Sequence, residues 1–153
     1  EELCPAEEKS NGFSVASAGD GDIVLQVWSP GQNNEEAGNK GINAAIFDHS
    51  SGGEAIKANI IVDEASSKGA RPYVVSIDNN VLNFLVAWDR ESSSVSGDHN
   101  IWARQIDKRG NLVGEIFKIN SDNTSTDCCV SLASDGSGNV AAAWLRKTDG
   151  ATN

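Results

Sequence analysis

Six aspartates stand at turn positions between short apolar runs: Asp20, Asp22, Asp48, Asp78, Asp107 and Asp135. Calcium takes oxygen ligands from Asp, Asn and backbone carbonyls. Asp20, Asp22, Asp78 and Asp135 are therefore the candidate calcium ligands, with Asp48 and Asp107 brought to the same sheet edge. The spacing of an EF-hand loop is missing, because no Glu falls at its twelfth position. An aspartate that opens a turn also accepts hydrogen bonds from its own backbone, and that structural role competes with calcium at each of these positions. No cofactor other than calcium is suggested.

A second acidic group lies in two polar stretches, Ser29–Lys40 and Asp89–His99, which read as long loops. They carry Glu35, Glu36, Asp89, Glu91 and Asp98, and loops on a rigid scaffold are where binding usually resides. With Trp102, the residues Asp89, Glu91 and Asp98 form the candidate ligand-binding set. Trp102 suits stacking on a sugar ring if exposed, or packing between sheets if covered. A carboxylate pair on these loops is the one route to a hydrolase, yet no apolar pocket signature frames any of them to raise its pKa. The two histidines, His49 and His99, fall at opposite ends of strands about six residues long, roughly 20 Å apart, too far to share a proton or a metal. Neither Gly-x-Ser-x-Gly, nor His-Glu-x-x-His, nor a phosphate-cradling glycine loop occurs. A non-enzymatic role is the expectation.

The three cysteines, Cys4, Cys128 and Cys129, fit no zinc spacing. A disulfide from Cys4 to one of the adjacent pair leaves one thiol available for a link between chains. Asn123-Thr124-Ser125 is a glycosylation sequon, meaningful only in a eukaryotic secretory context. A net charge of −10 argues against nucleic acid or an anionic membrane as partner, and no apolar run approaches the length of a membrane span. The chain contains no Met. Glu1 therefore reads as a processed N-terminus or a fragment boundary, with any signal peptide removed.

The elements that must position these residues repeat. Trp28, Trp88 and Trp144 lie 60 and then 56 residues apart. Each closes an apolar strand B (Ile23–Trp28, Phe84–Trp88, Val140–Trp144), which follows an Asp/Asn/Gly turn and a short strand A (Phe13–Ser17, Tyr73–Ile77, Cys129–Ala133). Strand C follows at Gly41–Asp48 and Asn100–Asp107, then strand D at Ala55–Val62 and Leu112–Asn120. Features recurring in one order at one period mark a repeat architecture. The units read as 1–12, an N-terminal segment; 13–70; 71–127; and 128–153, with strands A and B only. Strand B is apolar on both faces, so it is expected to be central and covered on both sides. Tandem four-stranded antiparallel units of this kind predict an all-β, β-propeller-like but incomplete fold, with a β-sandwich as the alternative.

The second unit carries a resemblance in Arg71-Pro72-Tyr73-Val74, "FLVAW" at 84–88, "NIWARQID" at 100–107 and "GNLVGEIFKIN" at 110–120. It resembles the tandem repeats of large secreted bacterial surface adhesins and RTX-like exoproteins over roughly 50 residues. The first unit departs from it, with Gly12-Phe13 for Arg-Pro and "INAAIFD" for "IWARQID". The third has Cys128-Cys129 where the second has Pro. The resemblance implies a secreted or cell-surface, repetitive, non-catalytic scaffold and transfers no active-site residue. The expectation is an adhesion or structural assembly module, with a glycan-binding lectin-like module and a hydrolase as alternatives. An unfinished third unit leaves an apolar strand edge exposed, a known aggregation liability. Its missing strands are expected from another subunit, giving a dimer or filament, or from the rest of a longer chain.

Overall fold

The computed structural model describes residues 12–18, 21–29, 41–64, 71–78, 82–91, 99–121 and 125–147. They form ten strands and, among the described residues, no helix: β1 (Phe13–Ala18), β2 (Ile23–Trp28), β3 (Ile42–Asp48), β4 (Glu54–Asp63), β5 (Tyr73–Asp78), β6 (Leu82–Glu91), β7 (His99–Asp107), β8 (Leu112–Lys118), β9 (Thr126–Ser134) and β10 (Val140–Lys147). They pair antiparallel into a sheet of order β1-β2-β3-β4, a second of order β5-β6-β7-β8, and a third of β9 and β10. The all-β reading and the four-stranded units hold.

The second unit corrects one reading. β6 does not stop at Trp88 but runs to Glu91, paired with β7 as Asp89↔Ile101, Arg90↔Asn100 and Glu91↔His99. Asp89, Glu91 and His99 are thus strand residues, and the connection between the two strands is shorter than the Asp89–His99 loop. A polar run stays in a strand here because each backbone group finds its ladder partner.

In strand A the register follows the match of Gly12-Phe13 with Arg71-Pro72 and not a match of the strand starts Phe13 and Tyr73. Val15 lies opposite Gln26 as Val74 lies opposite Val86 and Leu132 opposite Ala142. Phe13 therefore corresponds to Pro72, and since side chains alternate between faces, this register decides which of them reach the core.

The sheets stack through their faces. The face of the second sheet that carries Val74, Phe84, Val86, Trp88 and Ile106 packs on Leu25, Val27, Ile42, Ile46, Ile60 and Val62 of the first. Its opposite face, with Ile77, Leu85, Ala87, Ile101 and Ala103, packs on Val130 and Leu132 of the third, flanked by half-buried Val140, Ala142 and Trp144. The A strands lie side by side, β1 against β5 and β5 against β9. Burying a side chain of this size stabilises by about 1.5–3 kcal/mol, so these two interfaces are the core of the molecule.

Coverage of strand B on both faces holds for β6, whose residues Phe84 to Trp88 are all buried. It fails for β2, where Gln26 is exposed, and for β10, where Ala141 and Ala143 are exposed. The reason is position: an end of the stack has one neighbour.

Two glycines sit at close contacts, one within the first sheet and one between the first two units. Gly41 has φ +88°, and a Cβ there would fall 1.8 Å from the carbonyl oxygen of Asp63. Gly110, at φ +78° in the β7–β8 turn, would place a Cβ 2.9 Å from Ile60 Cδ1. Its carbonyl accepts a 3.0 Å hydrogen bond from Lys57 Nζ across the interface.

Candidate functional site

The turn aspartates are held by their own hairpins. Asp107 Oδ1 accepts from the backbone N–H of Arg109 at 2.9 Å and of Asn111 at 2.8 Å, while Oδ2 accepts from Asn111 Nδ2 at 2.9 Å. Asp135 repeats the arrangement: Oδ1 takes the N–H of Ser137 (2.8 Å) and Asn139 (3.1 Å), and Oδ2 takes Asn139 Nδ2 (2.7 Å). The two pentads, Asp-Lys-Arg-Gly-Asn and Asp-Gly-Ser-Gly-Asn, close a C–D and an A–B turn with one chemistry. Asp48 Oδ1 accepts from the backbone N–H and the Oγ of Ser50.

All three carboxyls lie below the usual aspartate range. At Asp48 the chief cause is the Ser50 hydroxyl, and at Asp135 the Asn139 side chain. At Asp107 partial burial pushes upward, and the hydrogen bonds from Asn111 and Arg109 outweigh it. These groups are acceptors held in the charged form, not proton donors.

Of the calcium candidates, Asp22 is exposed just ahead of β2, Asp78 ends β5 and Asp135 is engaged as described. Asp20 lies outside the described residues. Among the described residues no three His, Cys, Asp or Glu side chains converge as a metal site.

The ligand-binding candidates separate. Asp89 is buried, accepts from the backbone N–H of Arg71 at 3.2 Å, and lies 3.7 Å from His99 Nδ1. Glu91 sits at the end of β6 opposite His99, and Asp98 lies outside the described residues. Trp102 is half-buried on the face turned to the first sheet, with the Arg90 guanidinium 5.5 Å from its ring centroid. Cys129 is a free thiol whose Sγ accepts from Arg71 Nη1 at 3.2 Å, and Cys128 is buried. Cys4 and Asn123 lie outside the described residues.

The polar groups that converge most closely are ones the sequence reading did not single out. Asp63, buried at the end of β4, accepts from Trp88 Nε1 at 3.0 Å, with Arg90 Nη1 3.4 Å from the same oxygen. Asp127, fully buried, takes Arg146 in a two-pronged pair, Nε to Oδ1 at 2.8 Å and Nη2 to Oδ2 at 2.9 Å. Asn120 Nδ2 donates to Asp127 Oδ2 at 2.7 Å and to Asn100 Oδ1 at 2.9 Å, while its Oδ1 accepts from the N–H of Ile101.

A signal existed: Arg90 and Arg146 each stand two residues after a repeat tryptophan. Arg90 meets Asp63 across the junction of the first two sheets, whereas Arg146 meets Asp127 across the β9–β10 hairpin and Asn120, after β8, ties that pair to the second unit. The chain matches no protein-family model, no curated protein and no solved structure.

Proposed function

We propose that the chain is a non-catalytic extracellular repeat module for adhesion or structural assembly. In this reading the sheets are propeller-like blades, and the third is completed by strands from another subunit or from the remainder of a longer chain. The observation that carries it is the third sheet itself. β6, the counterpart of β10, is flanked by β5 and β7, whereas β10 has β9 alone among the described residues. A strand edge with free N–H and C=O groups is a template for strand addition. The resemblance to repeats of secreted bacterial exoproteins and the acidic charge support an extracellular setting. Trp102, packed under Arg90 rather than standing free, supports an assembly role for that residue over sugar stacking.

Amide hydrogen exchange followed by mass spectrometry tests the proposal. Amides of β10 that face away from β9 exchange fast in dilute chain and become protected in the assembly or in the full-length native protein. Identical, fast exchange of β10 in every form counts against it.

A further inference from the structure

The stack has a polarity. In the second sheet, the face bearing Val74, Phe84, Val86 and Trp88, here the front, is covered by the back of the first sheet, and Val74 and Trp88 are 3% and 0% exposed. In the third sheet the corresponding Leu132 is 5% exposed under the back of the second. Front therefore meets back twice, in the same order along the chain.

Among the described residues no sheet covers the front of the first. Val15, the counterpart of Val74 and Leu132, is 55% exposed, Phe13 beside it is 81% exposed, and Ile61 opposite Asn43 is 43% exposed. On the same face, paired with Trp28, Asn43 is buried and its Nδ2 has no hydrogen-bond partner among the described residues. An apolar face with an unsatisfied amide is half of an interface.

The other half is at the far end of the molecule. The back of the third sheet exposes Ala133, Ala141 and Ala143, the counterparts of buried or half-buried Val75, Leu85 and Ala87. Bulky Phe13, Val15 and Trp28 at one end are thus matched at the other by a surface of small side chains, Ala133, Ala141 and Ala143 with Ser131.

We infer that the front of the first sheet is a docking surface for a second copy of this chain, which seats the back of its third sheet there and continues the front-on-back stack. The inference rests on the assembly reading above but uses sheet faces, not the β10 edge. Because the two surfaces differ, the contact is heterologous and propagates head to tail unless its rotation closes a ring.

The test is light scattering and sedimentation over a concentration series, in a Cys129→Ser background so that no thiol link contributes. Val15→Glu blocks the front and Ala141→Glu blocks the back; Phe13→Glu is a second front variant. All sites are exposed, and far-UV circular dichroism checks that each variant stays folded. The unblocked chain is expected to grow in mass with concentration, and each blocked variant to remain at 16.1 kDa. An equimolar mixture of Val15→Glu and Ala141→Glu retains one good front and one good back, so it forms a dimer and stops there. Association that Val15→Glu abolishes and Ala141→Glu leaves intact means front-to-front pairing and overturns the inference. So does an unblocked chain that stays monomeric throughout, or a mixture that does. Association insensitive to both substitutions places the contact elsewhere. In each of these cases the β10 exchange measurement still decides the strand-completion reading on its own.

Discussion

Between the first and second sheets Trp88 is completely buried and its indole N–H meets the buried carboxylate of Asp63. Between the second and third sheets Trp144 is only half-buried, and the buried carboxylate is Asp127, neutralised by Arg146 and tied to Asn120. One repeat frame has thus built two apolar junctions with different polar groups beside them: an indole donating to a carboxylate at the first, and at the second a carboxylate held by the arginine of its own hairpin. The difference in burial follows from strand count. Each tryptophan faces a four-stranded sheet, but Trp88 is also flanked by β5 and β7 in its own sheet, whereas β10 has β9 alone beside it among the described residues. Paired, hydrogen-bonded burial of charge adds little net stability, but breaking such a pair is costly.

The largest expected effect separates the two tryptophans. Trp88→Ala removes a fully buried indole and strips Asp63 of a donor, and is expected to cost about 3–5 kcal/mol. Trp144→Ala, at a site only partly buried, is expected to cost less, about 1–2 kcal/mol. Urea unfolding monitored by circular dichroism measures both. Equal costs would mean that the junctions are energetically alike and the contrast above is wrong.

The Asp127–Arg146 pair is probed next. Asp127→Ala removes the two-pronged acceptor of Arg146, whose side chain is 37% exposed, so the loss is expected at about 2–3 kcal/mol, below the full cost of breaking a wholly buried pair. Replacing both partners, Asp127→Leu with Arg146→Met, is expected to recover most of it. A double replacement as unstable as the single one would show that the contribution comes from geometry other than the pair.

How much of this was legible beforehand differs by residue. The tryptophan spacing and the Asp/Gly turns gave the units and most strands, because turn chemistry and strand alternation are local. Asp89 and Glu91 were assigned to a loop because a polar run looks like one, whereas the ladder to β7 holds them as strand. The junction residues were hidden for a different reason. Asp63 and Trp88 are 25 residues apart, and Asp127 and Arg146 are 19. They meet only once sheets are stacked or paired, and no local pattern encodes that. The exposed front of the first sheet was hidden too, since β2 and β6 read alike until their neighbours are known.

A smaller effect compares two turn glycines. Gly110 and Gly136 both have positive φ, 78° and 71°, so alanine strains the backbone at each by about 1–2 kcal/mol. At Gly136 a Cβ meets nothing within 4 Å, while at Gly110 it runs into Ile60 and Lys57 of the first sheet. Gly110→Ala is therefore expected to cost about 1 kcal/mol more than Gly136→Ala. Thermal melts of the two variants decide whether the β7–β8 turn is part of the first junction; identical shifts would detach it.

The smallest effect is in acid, and it compares the two hairpins that share the Asp-x-x-Gly-Asn arrangement. Asp107 and Asp135 both have their pKa lowered in the folded chain, so the sign is fixed: each stabilises the fold above the unfolded value of about 3.9, and loses that contribution as pH falls through the lower folded value. Asn in place of either keeps one acceptor oxygen for the turn N–H groups but turns its own amide toward the amide of Asn111 or Asn139, donor against donor. Asp107→Asn and Asp135→Asn are therefore expected to be less stable than the unaltered chain at pH 7, with the gap narrowing below about pH 4, where the unfolded wild-type chain takes up protons that the folded carboxylates still refuse. Urea midpoints at pH 7, 4 and 2.5 read the gap. The gap is expected to be wider at Asp107, because its turn also presents Gly110 to Lys57 and is tied into the first junction, whereas in the Asp135 turn a Cβ at Gly136 would meet nothing within 4 Å. A gap independent of pH at both sites would mean that the turns are held by backbone shape alone, with the carboxylate charge contributing nothing.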